Sequence, residues 1–177
     1  MNKDLFCHFT IDNFDNIKNK ILNEIDALPK LSYDDKGGCA VYKTDWYLQD
    51  IDKPYINIVF DIIQDNILNI QNWIGHKVEI ELTNIWFQQY KKNHYHSFHT
   101  HPRTNLSGIF YIELPYPEHA TIFSMGNNKA NAEVAEGDIL LFPGYFPHKS
   151  PKNLYEERKT IVSFNLDITL SEKNYVD

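Results

Sequence analysis

The chain is expected to fold as a mainly β protein with N-terminal helices, built as a double-stranded β-helix, or jelly roll. Three observations predict this. Apolar residues recur at helical spacing only in the first third, the pattern switches to period two near residue 76, and the remainder reads as short strands punctuated by Pro and Gly. Helices followed by a run of strands suit a roll buttressed by helices. That order lacks the strand-helix alternation of a parallel α/β sheet.

From Phe14, the residues Ile17, Ile21, Leu22, Ile25 and Leu28 mark one helical face, Asp12 or Asn13 offers an N-cap, and Pro29 ends the run. A polar connection through Asp34, Asp35, Gly37 and Gly38 leads to a short strand or extended arm over 41–48. Pro54 suits the first turn of a second helix, continued by Ile58, Ile62, Ile63, Ile67, Leu68 and Ile70 to a stop near Gly75. Val78, Ile80 and Leu82 then alternate with Glu79 and Glu81 in a strand that runs on toward Tyr90. Further strands are expected over 106–114, 120–125, 138–142 and 160–168. Together these make one domain over 1–177, with a helical buttress over about 1–75 and a jelly-roll core over about 76–170.

With 42% apolar, 14% aromatic and 23% charged residues, the chain can build a packed core. Its net charge of −7 repels a phosphate backbone, so no nucleic-acid partner is expected. Cys7 and Cys39 are too few for a disulfide framework or a zinc ribbon. The N-terminus lacks a basic, apolar leader, and no apolar run has the length of a membrane span. A cytoplasmic protein is expected, in a cell or in the cytoplasm of an infected host; its oligomeric state stays open.

Four of the eight histidines, His94, His96, His99 and His101, cluster just after the strand that ends near Tyr90. On an extended segment, residues two apart face the same way, so His99 and His101 can present their imidazoles to one point. His148, after the 138–142 strand and the turn formers Pro143, Gly144 and Pro147, can supply a third. Three imidazoles on one face of a metal leave the other face open, as in the facial sites of non-haem iron enzymes, although imidazole suits Fe, Zn, Cu and Ni alike. Each histidine also reads as an ordinary loop residue satisfied by backbone groups. Arg158 and Thr160 share one strand face, where a guanidinium fork and a hydroxyl could hold a carboxylate. The run Glu156, Glu157, Arg158, Lys159 equally reads as a solvated turn.

Read in order, His99-x-His101, His148 and Arg158-x-Thr160 resemble the 2-oxoglutarate/Fe(II) oxygenase superfamily, whose pattern is His-x-Asp/Glu, a distant His and an Arg beyond it. Tyr90, Asn93, His96 and His99 fall at the spacing of the Tyr-x-x-Gly-x-x-Tyr-x-x-His lead-in of the prolyl-hydroxylase-like branch. More closely, His99-Thr-His-Pro102, Leu106-Ser-Gly-Ile-Phe-Tyr111, Gly137-Asp-Ile-Leu-Leu-Phe-Pro143 and Ser163-Phe-Asn165 look like the 2-oxoglutarate/Fe(II) oxygenases of phages and marine bacteria. The resemblance implies that His99 and His148 ligate Fe(II), and that Arg158, helped by Thr160 and Tyr90, binds the distal carboxylate of 2-oxoglutarate. His101 stands where the superfamily has a carboxylate, Asn93 replaces Gly and His96 replaces Tyr; ligation by His101 is the favoured expectation.

The implied activity is a 2-oxoglutarate-dependent dioxygenase, a hydroxylase of a small-molecule or peptidyl substrate. A rival keeps the three histidines without 2-oxoglutarate, as a cupin-like dioxygenase whose substrate chelates the metal. A second rival is a non-catalytic jelly-roll module with a structural zinc, for which His94 or His96 could be the fourth ligand.

Overall fold

The computed structural model describes residues 5–33, 38–48 and 50–170. After strand β1 (Cys7–Thr10), helix α1 (Phe14–Ala27) buries Ile21 and Ile25 at its predicted face. Its N-cap is Asn13, in the left-handed region at φ 53°, with no side-chain capping bond; only its carbonyl accepts, from the Asn16 amide at 3.2 Å. At the other end Lys43 Nζ donates to the carbonyls of Ile25 and Asp26, at 2.7 and 3.1 Å, satisfying acceptors that a helix C-terminus leaves open. The predicted connection at Asp34, Asp35 and Gly37 lies outside the described residues.

Strands β2 (Leu31–Tyr33) and β3 (Cys39–Thr44) follow. The second predicted helix is two, α2 (Tyr55–Asp65) and α3 (Ile67–Ile74), because Asn66 leaves helical geometry at φ −102°, ψ 10° and turns its amide onto the Ile62 carbonyl at 2.9 Å. Gly75, at φ 79°, ends α3 in the left-handed conformation that suits glycine.

The long strand β4 (Val78–Tyr90) runs to the predicted Tyr90, and β5 (Tyr95–His99), β6 (Leu106–Glu113), β7 (Ile122–Met125), β8 (Asn128–Asn131), β9 (Asp138–Pro143), β10 (His148–Ser150) and β11 (Lys159–Leu170) complete the roll. The described pairings are antiparallel, in the order β1-β9-β6-β11-β4-β3-β5-β10-β7-β8, with β2 beside β3. Because β3 pairs with β4 on one side and β5 on the other, the sheet curls over on itself. The result is the predicted jelly roll with helices against one wall.

Two apolar layers follow from the strand alternation. On the helix side, Phe87, Phe110, Val162, Phe164 and Leu166 pack with Ile21, Ile25, Val59 and Ile70 of the helices. Inside the roll, Tyr90, Ile109, Tyr111, Phe123, Phe142 and Ile161 form the second layer. Burying each such side chain contributes roughly 1.5–3 kcal/mol. One charge sits where the layers meet: wholly buried Asp45 accepts from Tyr55 Oη at 2.6 Å and the Phe87 amide at 2.9 Å, with Lys53 Nζ at 3.2 Å.

Candidate active site

Pairing of β5 with β10 sets His99 directly opposite His148, so residues 49 apart in sequence become cross-strand neighbours. Their ring centroids lie 4.3 Å apart. His101 follows two residues on, its ring 5.2 Å from each of the other two. Its backbone is fixed by Gly144, whose carbonyl accepts from the His101 amide at 2.7 Å and whose amide donates to Asn105 at 3.0 Å. A Cβ on Gly144 would meet the carbonyls of Thr104 and His101 at 2.6 and 2.8 Å, so only glycine allows this approach. Gly144→Ala is therefore expected to displace His101 and weaken divalent-metal binding by about 10- to 100-fold, read by calorimetry against an unchanged circular-dichroism spectrum.

Each of the three rings is held by Nδ1. His99 Nδ1 lies 2.8 Å from the Ser97 carbonyl, His148 Nδ1 2.9 Å from the Phe146 carbonyl, and His101 Nδ1 2.9 Å from Asn165 Oδ1. Because each partner is an acceptor, the proton sits on Nδ1 and the Nε2 lone pair is free. One nitrogen from each ring falls within 4.8 Å of the others, a spacing one cation can bridge. Burial, reinforced by the neighbouring His148 and His96, pushes His99 down to about 3; burial, with His101 and His96 nearby, pushes His148 to about 4 despite its backbone bond, and burial with His96 holds His101 below its usual value despite its bond to Asn165. All three are thus neutral near pH 7, the form a metal requires.

The other clustered histidines do not join this set. His94 turns its Nδ1 onto the carbonyls of Lys91 and Lys92, both at 3.1 Å, as a turn residue. His96 lines the same cavity, with its ring 4.0 Å from that of His99, but lies outside the three-residue group. Trp86 stacks on His101 at 5.6 Å and 19°, closing one side.

The three histidines open onto a cavity of about 590 Å³ whose wall also includes Tyr90, Thr121, Phe142, Ser150 and Ile161. Arg158 and Thr160 are not in it. Along β11, Ile161, Ser163 and Asn165 line the cavity whereas Val162, Phe164 and Leu166 face the helices, so strand parity sends 158 and 160 to the helix side. There Arg158 pairs with Glu113 at 2.7 and 3.2 Å and with Asp26 at 2.9 Å, and Thr160 donates to the same Glu113. The expectation that these two residues face the site is corrected: they fasten α1 to the sheet.

Lys159, which the sequence reading passed over, points inward instead. It is 1% exposed, and its Nζ donates to the His119 carbonyl at 2.6 Å and to Ser150 Oγ at 2.9 Å. No carboxylate partners it among the described residues, and burial pushes it down to about 7. The Tyr90 ring lies 5.4 Å from Nζ, and its buried hydroxyl makes no hydrogen bond. Lys159 itself does not line the cavity, but its neighbours Ser150 and Tyr90 do; an ammonium without a carboxylate and a hydroxyl without a hydrogen bond behind that wall are what a carboxylate needs, since leaving either unmatched is costly.

The fold is that of the 2-oxoglutarate/Fe(II) oxygenases. An oxidoreductase of that family from Burkholderia pseudomallei matches with a TM-score of 0.68 at 12% identity, over 84% of this chain and 77% of the other. A prolyl hydroxylase from Trichoplax adhaerens, in complex with a hypoxia inducible factor oxygen degradation domain peptide, matches with a TM-score of 0.66 at 14% identity over 94% and 85%. HygX from Streptomyces hygroscopicus, with nickel and 2-oxoglutarate bound, matches with a TM-score of 0.67 at 10% identity over 93% and 84%. No protein-family model matches the sequence, and no curated protein does.

Proposed function

We propose that the chain is a non-haem Fe(II)/2-oxoglutarate-dependent oxygenase, a hydroxylase of a small-molecule or peptidyl substrate. The observation that carries this reading is a cavity into which three Nε2 lone pairs converge and whose wall at Ser150 is backed by Lys159, an ammonium with no carboxylate partner among the described residues. His99, His101 and His148 hold the iron; Lys159, with the Tyr90 hydroxyl and Ser150, takes the distal carboxylate of 2-oxoglutarate in the role expected of Arg158 and Thr160. When bound, the pair would supply, with dioxygen as oxidant, decarboxylation of 2-oxoglutarate to succinate and CO2, one oxygen atom entering succinate and the other the substrate. The chain's own residues orient the co-substrate and exclude water: Phe142 and Ile161 dry the cavity, which strengthens the charge pairing at Lys159.

Anaerobic addition of Fe(II) and 2-oxoglutarate should give a weak visible charge-transfer band, and His99→Ala or His148→Ala should abolish it with at least about 100-fold loss of metal affinity. A metal-loaded protein that gives no band and releases no succinate would sink the proposal. The three neutral ligands also favour a second reading, a cupin-like dioxygenase whose substrate chelates the metal. Under that reading metal binds without any dependence on 2-oxoglutarate. Arg158→Ala separates the structural role from the expected one: 2-oxoglutarate affinity should stay within about threefold while stability falls by about 1–2 kcal/mol through loss of the Glu113 and Asp26 bonds, measured by calorimetry and urea unfolding.

A further inference from the structure

The cavity lining that includes Tyr90 and Ser150 also includes Arg103 and Thr104. Thr104 Oγ1 donates to the Leu166 carbonyl at 3.0 Å, which ties the segment carrying Arg103 to a point seven residues along β11 from Lys159. At the rise of an extended strand this is about 20 Å, so Arg103 stands well apart from Lys159. Arg103 lines the cavity, is exposed, and makes no hydrogen bond or ion pair among the described residues. Beside the histidines stands an aromatic wall: Trp86 lies flat against His101, and Trp46, 46% exposed, packs edge-on to it at 4.4 Å. Asn84 and Gln88, which also line the cavity, are uncharged amides. Among the described residues, no Asp or Glu lines the cavity.

We infer that the second substrate of this cavity is an anion with a flat, apolar body, stacked on the exposed Trp46, which the buried Trp86 braces, and held by its carboxylate or phosphate at Arg103. The inference rests on the oxygenase reading for the reaction, though not for the binding. A guanidinium without a protein partner recognises carboxylate and phosphate alike through its fork, and exposed indole surface takes planar groups by stacking. A cationic substrate would meet Arg103 and Lys149 in a cavity with no acid among its described lining residues; Asp167 borders a neighbouring recess that Arg103 also lines.

The test uses four probes that share one ring system: 2-naphthoate, 2-naphthyl phosphate, 2-naphthol and 2-naphthylmethylammonium. Their binding to protein loaded with Zn(II) and 2-oxoglutarate is followed by ligand-observed NMR. Both anions should bind about tenfold or more tightly than the alcohol, with the ammonium weakest, and the tighter of the two anions assigns the headgroup. Arg103→Gln should erase the preference, whereas Trp46→Ala should weaken all four by a similar factor of about five. Equal binding of the four probes overturns the inference. So does an anion preference that survives Arg103→Gln, or one lost instead in Lys159→Met, which would place the probes in the 2-oxoglutarate end. Failure of the oxygenase reading shows separately, as absent 2-oxoglutarate binding to the zinc-loaded protein, and leaves the panel readable on metal-free protein.

Discussion

Lys159→Met is expected to abolish 2-oxoglutarate binding while making the protein more stable. The opposite signs come from one physical cause. With no anion beside it, the buried ammonium is costly to keep charged, which is why burial pushes it to about 7, from an ordinary 10.5. Between those two values the unfolded chain holds a proton that the folded chain has lost, so stability rises with pH there. The penalty is fully in force at pH 7 and below. Methionine keeps the volume and removes the charge, so the melting temperature should rise. The same change removes the partner of a desolvated carboxylate, for which at least about a 100-fold loss of affinity is expected. Wild-type affinity should also be flat below pH 7 and fall about tenfold per unit above it, as Lys159 must first be protonated to bind. Calorimetry across pH with thermal unfolding of both proteins checks this; unchanged 2-oxoglutarate affinity in the variant would remove Lys159 from the site.

Asp45→Ala should be the most damaging single change to the fold, costing about 3–5 kcal/mol. Its carboxylate is wholly buried and joins three elements: Tyr55 at the start of α2, Phe87 in the middle of β4, and Lys53 in the loop between β3 and α2. Truncation strands a hydroxyl and a strand amide as desolvated donors without an acceptor and takes the countercharge from Lys53, which keeps only the Asp45 carbonyl at 3.1 Å. Asp45→Asn keeps an acceptor for Phe87 and should cost less, about 1–2 kcal/mol. Urea unfolding of the three proteins measures the difference. Because Phe87 lies next to Trp86 along β4, the alanine variant should also loosen the wall beside His101.

How legible the site was in the sequence depended on whether a reading needed only local geometry or a long-range register. His99 and His101 at i and i+2 required nothing beyond an extended backbone, and the jelly-roll expectation was enough to bring His148 to them. The helices at Ile21 and Ile25 and the long strand to Tyr90 were written in plain periodicity. Which face of β11 looks inward was not, because residues 159–166 are buried on both faces and alternation carries no signal there. A shift of one residue separates Arg158 from Lys159. The clue lay further along: the small polar residues Ser163 and Asn165 share Lys159's parity, whereas Val162, Phe164 and Leu166 share that of Arg158. The split at Asn66 escaped because apolar spacing continues through it, and the short strands β1, β2, β8 and β10 hold too few residues for a period to show.

The parallel contact between Trp86 and His101 gives the chain a built-in reporter. An imidazole that acquires positive charge, from a proton or a coordinated ion, draws electron density from an indole lying flat against it and dims its emission. Occupancy of the histidine cluster can therefore be followed in the native chain, without label or cofactor, by light alone.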